Sequence, residues 1–97
     1  MSRTVFSTEA RADLRDAHAH YAAIDARLAQ RFSLAVEHGV GRMAASPKRW
    51  PEVAAGVRRC LLDSFPYSLV YRVQGPTLRV IALLHHRRQP HDWAGDH

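Results

Sequence analysis

The sequence predicts an α+β domain in which a helical hairpin packs on one face of an antiparallel β-sheet, in the order β-α-α-β-β-β. Three observations predict this fold class. Apolar residues recur at three- and four-residue steps between positions 8 and 45, which indicates two amphipathic helices. Apolar residues alternate over much of the region from 57 to 85, which indicates strands. Within that region Gly75-Pro76 indicates a tight turn, because glycine readily adopts positive φ and proline cannot donate to a central ladder.

The N-terminal half contains a short strand and the two helices. We expect a strand over Arg3–Ser7, and either Ser7 or Thr8 can cap the helix that follows. Asp25 predicts a break, because aspartate is a favourable N-cap for a second helix that begins at Ala26. Four apolar residues recur at three- and four-residue steps along the first helix: Leu14, Ala17, Tyr21 and Ile24.

The second helix is expected to end at Ser46-Pro47, because the residue before a proline is pushed out of the helical region. Lys48 to Gly56, with Trp50 between two prolines, is predicted to be a loop. A strand over Val57–Leu62 follows it.

The last two predicted strands form a hairpin around Gln74–Thr77. On the strand before the turn, Leu69, Tyr71 and Val73 are expected to share one face. On the strand after it, the same alternation groups four apolar residues: Leu78, Val80, Ala82 and Leu84.

Size and composition indicate one globular domain over residues 1–97, with 94–97 expected to fray. Apolar residues make up 46% of the chain and charged residues 24%, which excludes a disordered protein. The sequence has no apolar run long enough to span a membrane. Cys60 is the single cysteine, so an internal disulfide is excluded, and a reducing, cytoplasmic location fits best. We interpret Cys60 as a small buried strand residue and not as a nucleophile.

Positive charge is concentrated in the C-terminal half. Residues 1–41 contain five arginines and five acidic residues, whereas residues 42–97 contain nine basic and four acidic residues and so carry the whole net charge of +5. A cationic half on a small protein favours nucleic acid, the ribosome or an acidic protein as partner, although it is also compatible with a solvated surface.

The C-terminal region also carries a family resemblance. An arginine pair at Arg58-Arg59 is followed by Phe65-Pro66-Tyr67, by a strand ending in Tyr71-Arg72-Val73, and by a second strand closing on His85-x-Arg87-Arg88-x-Pro90-x-x-Trp93. In order and length the chain resembles the RelE/ParE superfamily of toxins from bacterial type II toxin–antitoxin systems. The resemblance implies a growth-arresting toxin that a cognate antitoxin neutralises, through an acidic or amphipathic segment folding over the basic surface.

One function that the resemblance implies is ribosome-dependent cleavage of mRNA by a metal-independent endoribonuclease. Attack by a 2′-hydroxyl needs a base, an acid and cations beside the phosphorane. The predicted catalytic residues are Arg58, His85 and Arg87, and the predicted substrate-binding residues are Arg59, Tyr67, Tyr71, His86, Arg88 and Lys48. The resemblance places Arg58 on the open face of the sheet, and strand geometry directs Arg59 to the opposite face.

Two other functions remain open. ParE-like members resemble poisons of DNA gyrase that bind their target and lack this catalytic set, and a degenerate member would be an inert antitoxin-binding module. RelE-like members often use several lysines and a C-terminal tyrosine or histidine, whereas this chain has Lys48 alone and no tyrosine after Tyr71. No cofactor is expected. A metal site is not expected either, because His18 and His20 point in nearly opposite directions on a helix.

Overall fold

The computed structural model describes residues 3–87. Two helices and five strands follow one another along the chain: β1 Arg3–Phe6, α1 Thr8–Ile24, α2 Ala26–Ala45, β2 Glu52–Ala54, β3 Val57–Leu61, β4 Tyr67–Gln74 and β5 Thr77–His85. The α+β prediction, with both helices against one sheet, is confirmed. The expected fraying of residues 94–97 lies outside the described residues.

The five strands form one sheet in the order β1-β5-β4-β3-β2. Strands β2 to β5 are antiparallel neighbours, whereas β1 pairs in parallel with β5 at the opposite edge. The predicted loop over Lys48–Gly56 therefore contains a strand that sequence reasoning missed. Gly56, at φ +72, turns the chain so that Glu52 pairs with Arg58. Strand β2 has three residues, which are too few to show the alternation of apolar and polar side chains that indicates a strand.

Two side-chain caps position the helical hairpin. The hydroxyl of Ser7 accepts a hydrogen bond from the backbone N–H of Ala10 at 3.0 Å, and the carboxylate of Asp25 accepts one from the N–H of Arg27 at 2.8 Å. The backbone N–H of Asp25 also donates to the carbonyl of Tyr21, which closes α1. The predicted break at Asp25 is confirmed, and the hairpin lies against one face of the sheet.

The main core lies between the helices and the sheet. Leu69 and Tyr71 of β4 are fully buried there with Phe32 and Met43 of α2, and Val73 packs against the same cluster. Tyr71 and Val73 therefore share one face, as the predicted hairpin register requires. We call this side of the sheet the helix-packed face.

Strand β5 changes register at Ile81. Val70 pairs with Ala82, whereas the next residue, Tyr71, pairs with Val80, so Ile81 is the extra residue of a β-bulge. The bulge shifts the alternation by one. Ala82 therefore does not share a face with Leu78, as strict alternation predicted, and that expectation was wrong.

Beyond the bulge, the second face of the sheet has its own small apolar cluster. Ala82 and Leu84 belong to it with Val57 and Val70, while Leu83 joins the main core instead. Its residues are buried, although neither described helix packs on this side of the sheet, which we call the open face.

Candidate functional site

The two adjacent arginines of β3 lie on opposite faces of the sheet. Arg58 pairs with Tyr71 and has the same strand parity as the buried Cys60, which places it on the helix-packed side. Arg59 pairs with Val70 of the open-face cluster. The prediction that Arg58 occupies the open face was wrong, because the helices cover the face that carries Cys60 and Tyr71.

Arg58 holds the segment between α2 and β3. Its guanidinium donates to the carbonyls of Lys48 at 3.0 Å and Trp50 at 2.6 Å, and it forms an ion pair with Glu52 at 3.2 Å. Three of the hydrogen bonds that a guanidinium fork offers are thus used inside the protein. The predicted substrate ligand Lys48 is exposed in this segment, and its carbonyl serves as an anchor for Arg58.

His85 lies on the helix-packed side at the end of β5. Its ring stacks edge-on against Tyr67, with 5.0 Å between the ring centroids. Both rings line a cleft of about 320 Å³ with Asp13, Asp16 and His20 of α1. The backbone N–H of Arg87 donates to Nδ1 of His85 at 3.1 Å. Because Nδ1 accepts this hydrogen bond, the neutral tautomer that fits it has its proton on Nε2.

His86 lies on the other side of the sheet from His85. Its Nε2 is 3.0 Å from the hydroxyl of Ser68, whose strand partner Leu84 belongs to the open-face cluster. Arg87 is exposed in the turn after β5. Arg88, a predicted substrate ligand, lies outside the described residues.

The two predicted substrate-binding tyrosines belong to the core. Tyr71 is fully buried, and its hydroxyl donates to the carbonyl of Pro47 at 2.5 Å. Burial raises the pKa of Tyr71 to about 12. The ring of Tyr67 is 8% exposed and packs edge-on against Tyr21 and Phe32. A base would have no free ring face to stack on at either tyrosine.

The predicted catalytic residues do not converge. Arg58 pairs with Tyr71 and His85 pairs with Tyr67, so the two positions are separated by four residues along β4, or about 13 Å. The catalytic and substrate-binding roles assigned to these residues stay predictions. Burial raises the pKa of the Cys60 thiol, which is the environment of a core residue and not of an activated nucleophile.

Sequence reasoning missed two arginines that accompany Arg59 on the open face. Arg72 and Arg79 are paired with each other across β4 and β5. Arg72 follows Val70 at the two-residue spacing that keeps side chains on one face. The alternation of side chains along β4 and β5 could have indicated that both arginines share a face with Arg59. Within residues 3–87 there is no cluster of three or more side chains suited to a metal ion.

The fold class is also found in a solved structure. A chain from the structure described as a chromosomal ParDE TA system from P. aeruginosa matches with a TM-score of 0.69 and 21% sequence identity. The match covers 88% of this chain and 96% of that one. At this identity the likeness establishes the fold.

The family follows from the sequence. The model of the family described as the ParE toxin of the type II toxin–antitoxin system parDE matches residues 4–90, which is most of the chain. The protein therefore belongs to the ParE toxin family. No curated protein matches it significantly. No helix within residues 3–87 has the length and apolar character needed to cross a membrane.

Proposed function

We propose that this toxin acts in the cytoplasm by binding DNA gyrase, without chemistry of its own, and that a cognate antitoxin silences it. The absence of chemistry is inferred from the contacts of Arg58, whose guanidinium is already bound within the protein. A phosphate could recruit this guanidinium only by displacing two backbone carbonyls and Glu52. Membership of the ParE family supports the same target.

The helical hairpin offers a surface for the antitoxin. A groove of about 570 Å³ runs along the outside of α1 and α2, floored by Leu14, Phe32 and Val36 and bordered by Arg15 and His18. An apolar floor with a basic border suits an amphipathic, acidic segment. We propose that the antitoxin places such a segment here.

Gyrase poisoning and ribosome-dependent mRNA cleavage both arrest growth, but the first breaks DNA and the second breaks transcripts. After induction of the chain alone, gyrase-dependent double-strand breaks with intact transcripts are expected. They would be measured by mapping DNA ends and transcript 5′ ends in the same culture. Purified gyrase with supercoiled plasmid should yield linear DNA only when the toxin is added.

Transcript ends at a fixed position within codons would overturn the gyrase proposal in favour of ribosome-dependent cleavage. The variants Arg58→Ala, His85→Ala and Arg87→Ala then decide which predicted catalytic residues act. Normal growth with neither lesion would leave an inert antitoxin-binding module.

Ala19→Glu tests the antitoxin groove. Ala19 is exposed and lines the groove, so a carboxylate there would repel an acidic partner without removing a buried contact. We expect the antitoxin to bind at least about tenfold more weakly, by titration calorimetry, because an unpaired charge enters an apolar contact. Ala45→Glu, at the exposed end of α2, is the matched control and should bind normally. Equal binding by both variants would exclude this groove.

A further inference from the structure

The apolar cluster on the open face is buried although both described helices lie on the other side of the sheet. Val57 and Val70 are fully buried there. The described apolar residues that pack against the cluster, Ala54 and Ile81, belong to strands of the same sheet. Side chains of a strand stand roughly perpendicular to the sheet, so their tips reach solvent unless other atoms lie over them. The cluster therefore needs a cover that the described helices and strands do not supply.

The burial of Leu84 excludes a cover made of arginine side chains alone. The two valines are flanked by arginine stems from neighbouring strands, which can shade them. Among the described strands, Leu84 pairs only with Ser68, because the pairing of β1 with β5 ends at Val80. Leu84 is nevertheless 9% exposed, and Ser68 is fully buried. This end of the face therefore indicates a segment of chain lying over it.

The described chain ends on this side of the sheet. The Nε2 atom of His86 is 3.0 Å from the hydroxyl of Ser68, which belongs to the open face. The backbone N–H of His86 donates to the carbonyl of Pro66 at 2.9 Å, which fixes the end of β5 beside β4. Residues 88–97, which lie outside the described structure, therefore continue from the margin of the buried cluster.

The length of residues 88–97 is sufficient to cross the face. An extended chain advances about 3.3 Å per residue, so this segment can span up to roughly 33 Å. Val70 is two residues from Ser68 along β4, or about 7 Å, and five strands at a spacing of about 4.8 Å are roughly 19 Å across. Trp93 is seven residues beyond His86 and can therefore reach every member of the cluster.

The apolar content of residues 88–97 is concentrated in one side chain. Trp93 is the single large apolar residue among them, and an indole ring has the area to cover several small aliphatic side chains. The cluster consists of such side chains: Val57, Val70, Ala82 and Leu84. A tryptophan and an aliphatic floor are complementary in size and polarity.

The charges of the segment and of the face are also complementary. Arg59 and Arg79 lie on the open face, and the Nε of Arg59 is buried, as under a cover. The described strands bring no carboxylate to this face, since their single acidic residue, Glu52, forms an ion pair with Arg58 on the other side. Two aspartates, Asp92 and Asp96, occur within residues 88–97. Attraction between opposite charges therefore favours this segment as the occupant.

We propose that the open face is a docking site for residues 88–97 of the same chain, with the ring of Trp93 lying over the apolar cluster. The segment closes the second face of the sheet, as the helices close the first. This docking goes beyond the gyrase proposal and does not depend on it. It leaves the helical groove to the antitoxin.

A double-mutant cycle tests the contact in the full-length protein. Trp93→Ala should raise the equilibrium constant for unfolding at least about tenfold, by urea unfolding, because the cluster loses its apolar cover. In a Val70→Ala background the same substitution should have a severalfold smaller effect, because part of the contact is already absent. Leu69→Ala is the matched control. It truncates the adjacent residue on the helix-packed face, and Trp93→Ala should keep its full effect there.

The fluorescence of Trp93 provides a measurement that leaves the cluster intact. Trp50→Phe makes Trp93 the single tryptophan of the chain. We expect acrylamide to quench its emission severalfold less in the folded protein than in urea, because a docked ring is shielded from the quencher.

Three outcomes would overturn the proposal. Equal effects of Trp93→Ala in the wild-type, Val70→Ala and Leu69→Ala proteins would place the ring away from the cluster. Quenching that is as efficient in the folded protein as in urea would mean that the ring is exposed. Sedimentation as a dimer whose stability Trp93→Ala leaves unchanged would assign the cover to a second copy of the chain.

Discussion

The two faces of one sheet use arginine in different ways. On the helix-packed face, Arg58 is half-buried and donates hydrogen bonds to two backbone carbonyls and to Glu52. On the open face, Arg59 sits next to it in sequence and has a buried Nε without an acceptor in the described chain. Adjacent, identical residues thus have different environments: the guanidinium of Arg58 is used by the backbone and Glu52, and the Nε of Arg59 has no acceptor in the described chain. The face of the strand on which an arginine lies, and not the residue type, decides which partners its guanidinium meets.

Truncation of neighbouring buried residues on β4 should show the largest contrast between the faces. Leu69 belongs to the main core and Val70 to the open-face cluster, and both are fully buried. We expect Leu69→Ala to lower the free energy of unfolding by about 2–5 kcal/mol. Val70→Ala should cost less, about 1–2 kcal/mol, because it removes fewer methyl groups from a smaller cluster. Urea unfolding measures both, and an equal loss would mean that the open face is packed as extensively as the helical side.

Alanine substitution of each of the adjacent residues Arg58 and Arg59 should distinguish their roles. Arg58→Ala removes the anchor of the segment before β3, and we expect a loss of about 2 kcal/mol in the free energy of unfolding. Arg59→Ala should lose less than about 1 kcal/mol, because only stem packing is removed. Thermal and urea unfolding of the two variants provide the measurement. The reverse order would contradict the assignment of Arg58 as a structural residue.

Tyr71→Phe tests a second contact to the segment between α2 and β3, at Pro47. The substitution keeps the buried ring and removes the hydroxyl that donates to the carbonyl of Pro47. We expect a loss of about 1 kcal/mol in the free energy of unfolding, as for one buried hydrogen bond. A neutral effect would show that water replaces the hydroxyl at this carbonyl.

The smallest expected effect is a loss of stability at high pH, where tyrosine ionises. Burial raises the pKa of Tyr71 to about 12, above the value near 10 of an unfolded tyrosine. Between these values the folded protein retains a proton that the unfolded chain loses, so stability is full below pH 10 and falls as the pH rises towards 12. Urea unfolding at pH 9 and above should show the fall, and Tyr71→Phe should reduce it.

The sequence predicts the helices and the hairpin well because their signals are local. Ser7, one of the two candidate caps for the first helix, and Asp25 both act as caps, and Gly75 adopts φ +60 in the predicted turn. The face of Arg58 was missed because alternation shows which residues share a face but not which face the helices cover. Cys60, an apolar residue two positions on, was the available signal.

The bulge at Ile81 was invisible for a different reason. The bulge lies beside contacts with the other end of the chain: the carbonyl of Ile81 accepts a hydrogen bond from the hydroxyl of Ser7 at 3.3 Å, and Ser7 N–H donates to the neighbouring carbonyl of Val80. No local pattern indicates such a partner. The closeness of Arg72 and Arg79 was overlooked in turn because they lie within apolar strands and become neighbours only through the hairpin register.

The parallel pairing of β1 with β5 has a consequence for the timing of folding. Arg3 pairs with Thr77, and Asp13 accepts a hydrogen bond from the backbone N–H of Leu83, so contacts of the first residues span more than seventy positions. Contacts of such high sequence separation slow folding, because a long loop must close before they form. During synthesis, β1 stays without its sheet partner until β5 has been made. The sheet is therefore complete only after most of the chain has been synthesised.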